Sequence, residues 1–162
     1  MRFVVSLAWV LASIAFLSIN IIPQESIMDK LDLVRPMIST RADVEKVFGL
    51  SHKGQNSARY FFDDRSIRIL FSDGSCTEGW RAPKDVVVKA EVQFFKRLPL
   101  SSLKKSVTYT RFRFKRSYDV AGEKYYYDDA TGREYGINDR QGVWLSLTYY
   151  PSKRFSKNRC DD

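Results

Sequence analysis

Histidine occurs once in this chain, at His52, and cysteine twice, at Cys76 and Cys160. Those scarcities exclude a good deal. Two cysteines and one histidine do not build a zinc site, and no C-x-x-C spacing marks a redox dithiol. A histidine in a Lys53-Gly54 loop, with no nucleophile or orienting partner beside it, is not a catalytic base. It reads as a solvent-facing loop residue. Also missing are a nucleophile elbow, a phosphate loop, a dinucleotide fingerprint and a zinc-protease helix. The acidic pairs Asp63-Asp64 and Asp128-Asp129 lack the alternating oxygen ligands of a calcium loop and read as turn openers. No catalytic residue, cofactor or metal ligand is assigned, and the chain reads as a non-enzyme.

What is present starts at the N-terminus. Arg2 precedes twenty residues without a charge, Phe3 to Ile22, which end at Pro23-Gln24. Residues 1–24 are a signal peptide or a signal anchor and stand outside the fold. Length leaves both open, since a cleavable core runs about 7–15 residues and about 20 span a bilayer. Ser13 and Ala15 offer a cleavage site, whereas the greasy run Phe16 to Ile22 argues for retention. No cysteine lies nearby to accept a bacterial lipid. The remaining chain is expected to be extracytoplasmic, whether periplasmic, membrane-anchored or secreted. In that setting an isolated cysteine pair is most simply a disulfide. Closing so long a loop stabilises a fold by up to ~4–5 kcal/mol on chain-entropy grounds. It would also tie down the tail 152–162, which otherwise reads as disordered. Without Arg2, 26 cations face 19 acids, a net charge of +7. That excess favours an anionic membrane surface or envelope polymer; nucleic acid is the partner least accessible to an exported chain.

About 138 residues remain, enough for one domain with a real core. Aromatics make up 14% of the chain, so rings supply much of that core. Two strings among them read alike: Arg59-Tyr60-Phe61-Phe62-Asp63-Asp64 and Lys124-Tyr125-Tyr126-Tyr127-Asp128-Asp129, 65 residues apart. A fixed internal offset is the trace of a duplicated structural unit.

The elements around the strings repeat in order. A lead-in segment carries one helical turn around Met28 to Leu31, and Pro36 keeps Val34-Arg35 extended. Thr40 to Gly49 is a capped helix: Thr40 at the N-cap, Asp43 three residues on, an apolar stripe of Val44, Val47 and Phe48, and Gly49 to end it. Strands follow at Ala58 to Phe62 and Ile67 to Phe71. Ser75 to Asp85 is a loop carrying Cys76 and Trp80. A long strand, Val86 to Phe95, alternates Val86, Val88, Ala90, Val92 and Phe94 against Lys89, Glu91 and Gln93. The second unit runs through a short helix at Ser101 to Lys105 and strands at Val107 to Arg116, Lys124 to Asp128, Arg133 to Asn138 and Val143 to Tyr150. The fold class is therefore α+β: an antiparallel sheet with short helices on one face, in two tandem repeats at about 37–96 and 100–151.

Ser39 to Gly49 resembles the T-x-x-E-V-x-x-L-L-G signature of the small protein A/OmlA-type family of outer-membrane assembly lipoproteins. The β-lactamase inhibitor proteins share that fold as a tandem helix-plus-sheet duplication. The resemblance spans about eleven residues and implies fold more than role. It departs from the assembly lipoprotein in lacking a lipidated N-terminal cysteine. It implies an envelope protein partner gripped by an aromatic sheet face, for which Tyr60, Tyr125, Tyr126 and Trp144 are the candidates. A rival reading rests on charge. Arg111, Arg113, Lys115 and Arg116 alternate with Phe112 and Phe114, which gives a solvated basic face or an anion-binding surface reinforced by Lys96, Arg97, Lys104 and Lys105. Which sheet face is exposed decides whether the tyrosines are core or interface.

Overall fold

The computed structural model describes residues 26–102, 116–120, 123–138 and 140–160. Two helices come first, α1 (Ile27–Leu33) and α2 (Arg41–Phe48). Then come β1 (His52–Gly54), β2 (Ser57–Phe61), β3 (Arg65–Phe71), β4 (Cys76–Thr77), β5 (Trp80–Arg81) and β6 (Val87–Pro99). The chain continues with β7 (Arg116–Val120), β8 (Glu123–Asp128), β9 (Arg133–Asn138) and β10 (Val143–Tyr149). This is an α+β fold. Eight strands form one antiparallel sheet in the order β1-β2-β3-β6-β10-β9-β8-β7, and β4-β5 stand apart as a small hairpin.

The sheet order folds back on itself about its centre. Each half runs edge to middle in chain order, and the halves meet where β6 pairs with β10. One row of paired residues crosses the seam: Tyr60, Ile67, Val92, Leu147, Tyr135, Tyr126. All six face the helices and belong to, or pack on, one core cluster. A matched pair of contacts lies beside the row. Arg65 is paired with Phe94 and its guanidinium lies 5.1 Å from that ring, while Arg133 is paired with Tyr149 at 5.2 Å.

This register corrects the alignment of the two strings. Tyr60 is equivalent to Tyr126, not to Tyr125, so the offset in space is one residue longer than in sequence. The turns explain the slip. Phe62 and Arg65 close around two aspartates, whereas Asp128 and Arg133 are separated by four residues. Side chains alternate with period two, so one residue moves a whole strand's aromatics to the other face.

The helices sit where local chemistry puts them. Thr40 and Asp43 make a full capping box, and Gly49 follows at φ +82°. Phe48 packs on Tyr60 at 5.1 Å, which lays α2 over the first half of the sheet. The lead-in does more than expected. Ser26 caps a seven-residue α1, whose Asp32 accepts hydrogen bonds from Arg133 (2.9 Å) and Tyr149 (2.8 Å). That contact docks α1 on the second half.

Other expectations change. His52 stands in strand β1 rather than a loop, and Ser75 to Asp85 contains the β4-β5 hairpin. An irregularity between Leu70 and Phe71 puts Val87 in the helix-side core and Val88 on the other side, so Val88 does not continue the Ala90 stripe. The tail forms a 3₁₀ turn at Lys153–Asn158. Of the helix expected at Ser101 to Lys105, only a 3₁₀ turn at Leu100–Ser102 falls among the described residues. The strand expected from Val107 lies outside them up to Arg116, where β7 begins.

Gly132 locks the end of β10. It has φ +72°, and a Cβ there would lie 2.2 Å from the Tyr150 carbonyl oxygen. Gly132→Ala is expected to cost at least about 2 kcal/mol in urea unfolding. Gly142→Ala, also at positive φ but with nothing within 4 Å, should cost only about 1–2 kcal/mol. The cap of α2 carries a pH dependence. Hydrogen bonds from Thr40, backbone first and then hydroxyl, hold the Asp43 carboxyl below its ordinary value. Its stabilising effect is complete above the unfolded-state value and lost as pH falls through the folded one. Wild type is expected to exceed Asp43→Asn in stability at neutral pH, with the margin shrinking below about pH 4.

Candidate functional site

The face away from α1 and α2 is the outer face. Residues opposite one another across a ladder share a face, so two rows define it. The first runs Arg59, Arg68, Glu91, Thr148, Glu134, Tyr127. The second runs Phe61, Ser66, Gln93, Ser146, Gly136, Tyr125. Phe95 follows Gln93 on the same face by alternation. One end of the face is covered and the other is open.

The cover is a second apolar cluster. Leu70 and Val88 from the sheet meet Trp80 and Ala82 from the hairpin segment, with Met37, Val86 and Phe155 against them. The Cys76–Cys160 disulfide, spanning 84 residues with Cα atoms 6.1 Å apart, fastens the tail to the hairpin. Two backbone contacts extend the join: Trp80 bridges to Arg159, and the Cys160 amide donates to the Gly79 carbonyl at 3.0 Å. The cysteine pair is thus a structural clasp.

Charge on the outer face is organised as a chain. Lys89 contacts Glu91 at 2.7 Å and Glu78 at 3.3 Å, and Arg68 reaches Glu91 at 3.4 Å. Burial alone would lower the Lys89 ammonium; Glu91 and then Glu78 overcome it and hold it above its ordinary value. Burial raises the Tyr150 phenol, and the charges of Glu134, Glu91 and Glu78 raise it further. Burial and the adjacent Glu123 do the same to Tyr125. Tyr125 lies across Gly136, where a Cβ would come within 3.2 Å of its ring.

The four aromatic candidates separate. Tyr60 is 7% exposed, its hydroxyl donating to the Gly49 carbonyl at 3.2 Å, and Trp144 is 6% exposed with its ring 4.4 Å from Phe94. Both are core and present no surface to a partner. Tyr126 packs half-buried against the same core. Only Tyr125 reaches the outer face. The exposed rings there are Phe61 (62%) and Phe95 (55%), neither singled out from sequence. Their signal was the alternation itself: Phe61 follows core Tyr60, and Phe95 follows core Phe94.

Arg111, Arg113 and Lys115 lie outside the described residues, as do Lys104 and Lys105. Arg116 opens β7 with its backbone opposite Tyr127. Lys96 and Arg97 are exposed on β6, and Arg97 bonds Gln141. The aspartate pairs behave as turn residues. Asp64 binds Arg65 at 2.7 Å, and Asp128 accepts from the Ala130 amide at 3.0 Å and the Thr131 hydroxyl at 2.7 Å. Among the described residues, no group of three or more His, Cys, Asp or Glu side chains is placed to hold a metal ion.

The fold and site define an α+β protein with a two-fold-like antiparallel sheet, one face helix-covered and the other partly clasped. Compared with known proteins, the chain matches no family model, no curated protein and no solved structure. The resemblance carried by Ser39 to Gly49 therefore rests on those residues.

Severing the clasp has a definite expectation. The Cys76→Ser/Cys160→Ser double variant should lose up to ~4–5 kcal/mol of stability in urea. Trypsin should also cut within Lys153–Arg159 faster than in the oxidised protein, because the hairpin no longer holds the tail.

Proposed function

We propose that the protein is a non-enzymatic, extracytoplasmic binding or envelope-assembly module that engages a protein partner through the outer face of its sheet. The observation that carries this reading is the exposure of Phe61 and Phe95 at the open end of that face. Arg59 and Arg68 lie beside Phe61 on β2 and β3. Large rings next to arginines are the composition of interface hot spots. An apolar knob on an acidic protein surface fits such a patch. The disulfide and the uncharged N-terminal run are compatible with export, and among the described residues no helix is long and apolar enough to cross a membrane. The resemblance to the small protein A family supports a place in the cell envelope.

A second reading takes the net positive charge as primary, with an anionic lipid or envelope polymer as partner. Exposed Lys96 and Arg97 at the same end of β6 favour it.

Photo-crosslinking decides between the surfaces. A photoreactive residue in place of Phe61 or Phe95, in intact envelopes, is expected to trap one discrete protein. The same group at Leu50, which is 81% exposed just after α2, should trap nothing comparable. Equal yields from Leu50 would remove the outer-face assignment. For the second reading, co-sedimentation with anionic vesicles should weaken steeply with salt, since surface attraction fades as the Debye length shortens.

A further inference from the structure

Where the clasp meets the sheet, a cleft of about 450 Å³ opens between them. The sheet supplies Tyr127, Glu134 and Tyr150, the hairpin supplies Glu78 and Trp80, and the tail supplies Arg159 among others. Its size falls within the usual range for small-molecule sites, about 300–1,000 Å³. Three aromatic rings wall it. Tyr127 and Tyr150 meet at 5.6 Å with their planes tilted by 54°, making a corner, and Trp80 stands on the clasp side. Glu134 contributes a carboxylate on a residue only 8% exposed, in reach of the Tyr150 hydroxyl at 3.5 Å.

We propose that this cleft is a binding site for a small organic ammonium ion, a quaternary or primary amine carrying a short apolar body. Aromatic rings attract cations through their negative faces, and cages of such rings recognise quaternary ammonium groups. The protein's own cations already lie over two of the three rings, so a ligand would have to compete with them or add to them. The Arg159 guanidinium lies 5.6 Å from the Trp80 ring, and the Lys89 ammonium lies 5.3 Å from Tyr150. The cleft lining carries three acids, Glu78, Asp129 and Glu134, against two cations, Lys153 and Arg159. Glu134, Glu91 and Glu78 all act to disfavour a negative charge at Tyr150, in a chain whose overall charge is +8.

The backbone under Glu78 adds a separate argument. Glu78 has φ +53° and Gly79 φ +78°, so both central residues of the hairpin turn are at positive φ. Asn-Gly or Gly-Gly suits such a turn far better than Glu-Gly. The glutamate stands at a backbone cost, and its side chain lines the cleft.

Trp80 and Trp144 provide the readout, because one lines the cleft and the other lies in the helix-side core. Choline and its neutral tert-butyl carbon analogue are titrated into the oxidised protein while the Trp80 and Trp144 indole N–H signals are followed by NMR. Choline is expected to shift the Trp80 signal saturably and leave Trp144 in place, with the neutral analogue binding about 5–30-fold more weakly. Tyr127→Leu should weaken choline binding by a similar factor. Glu78→Asn should weaken it too, without lowering the urea midpoint, since it relieves the turn and leaves Lys89 its contact with Glu91. Three outcomes overturn the proposal: no saturable Trp80 shift, equal affinity for choline and the neutral analogue, or a Trp80 response to inorganic phosphate in place of choline. The crosslinking outcome at Phe61 and Phe95 bears on a different part of the face, so either site can fail without the other.

Discussion

The pairing of β6 with β10 is the constraint on which the rest of the structure depends. Each half alone would be a four-stranded sheet with a long unpaired strand at one side, which is a template for aggregation. Joining the halves at those two strands hides both edges at once. The outer edges that remain are β1, three residues long, and β7, five residues long. Val92 opposite Leu147 marks the centre, and from there the core row runs outward through Ile67 to Tyr60 and through Tyr135 to Tyr126. Each helix then has a half to cover. Phe48 anchors α2 beside Tyr60, and Asp32 anchors α1 beside Tyr149.

Local chemistry was legible in the sequence, and long-range register was not. The α2 helix could be read residue by residue because its cap, stripe and terminating glycine are all within ten residues. The strands β2, β3, β9 and β10 announced themselves by alternation and bounding turns. The strings at Arg59 and Lys124 lie on β2 and β8, which take matching places in the two halves of the sheet order. Which aromatic in each faced the core depended on the length of the following turn, and nothing inside the strings encodes that. Short strands escaped for a related reason: β1, β4 and β5 have two or three residues each, too few to show a period.

Tyr60 and Trp144 were read as interface anchors because tyrosine and tryptophan suit interfaces and cores equally. The deciding fact is tertiary: Tyr60 finds the Gly49 carbonyl for its hydroxyl, so it can be buried without an unsatisfied donor. Phe61 and Phe95 have no polar group to satisfy and are left in water. Two phenylalanines at more than half exposure, on a sheet that buries so many other rings, are the observation on which the proposed interface rests.

The near-symmetry of the sheet makes the outer face more informative than either half alone. Turning one half onto the other maps the core row onto itself, apolar against apolar, since both halves must fill the same space beneath the helices. The two outer rows map onto each other instead, and there the residues differ. Phe61 corresponds to Tyr127, Arg59 to Tyr125, and Ser66 to Glu134. The first half therefore ends in an open patch of phenylalanine and arginine. The second ends in tyrosines and a buried carboxylate beneath a disulfide-held lid. Packing imposes no such divergence, because neither outer row supports a helix. The lid makes the difference chemical as well as geometric: Glu134 is only 8% exposed and Tyr127 half-buried, and an attraction between a cation and a ring or carboxylate is stronger out of water than in it. An open patch of phenylalanine and arginine and a walled cleft of tyrosines with a buried carboxylate, at equivalent places on one sheet, are two different answers to the same position.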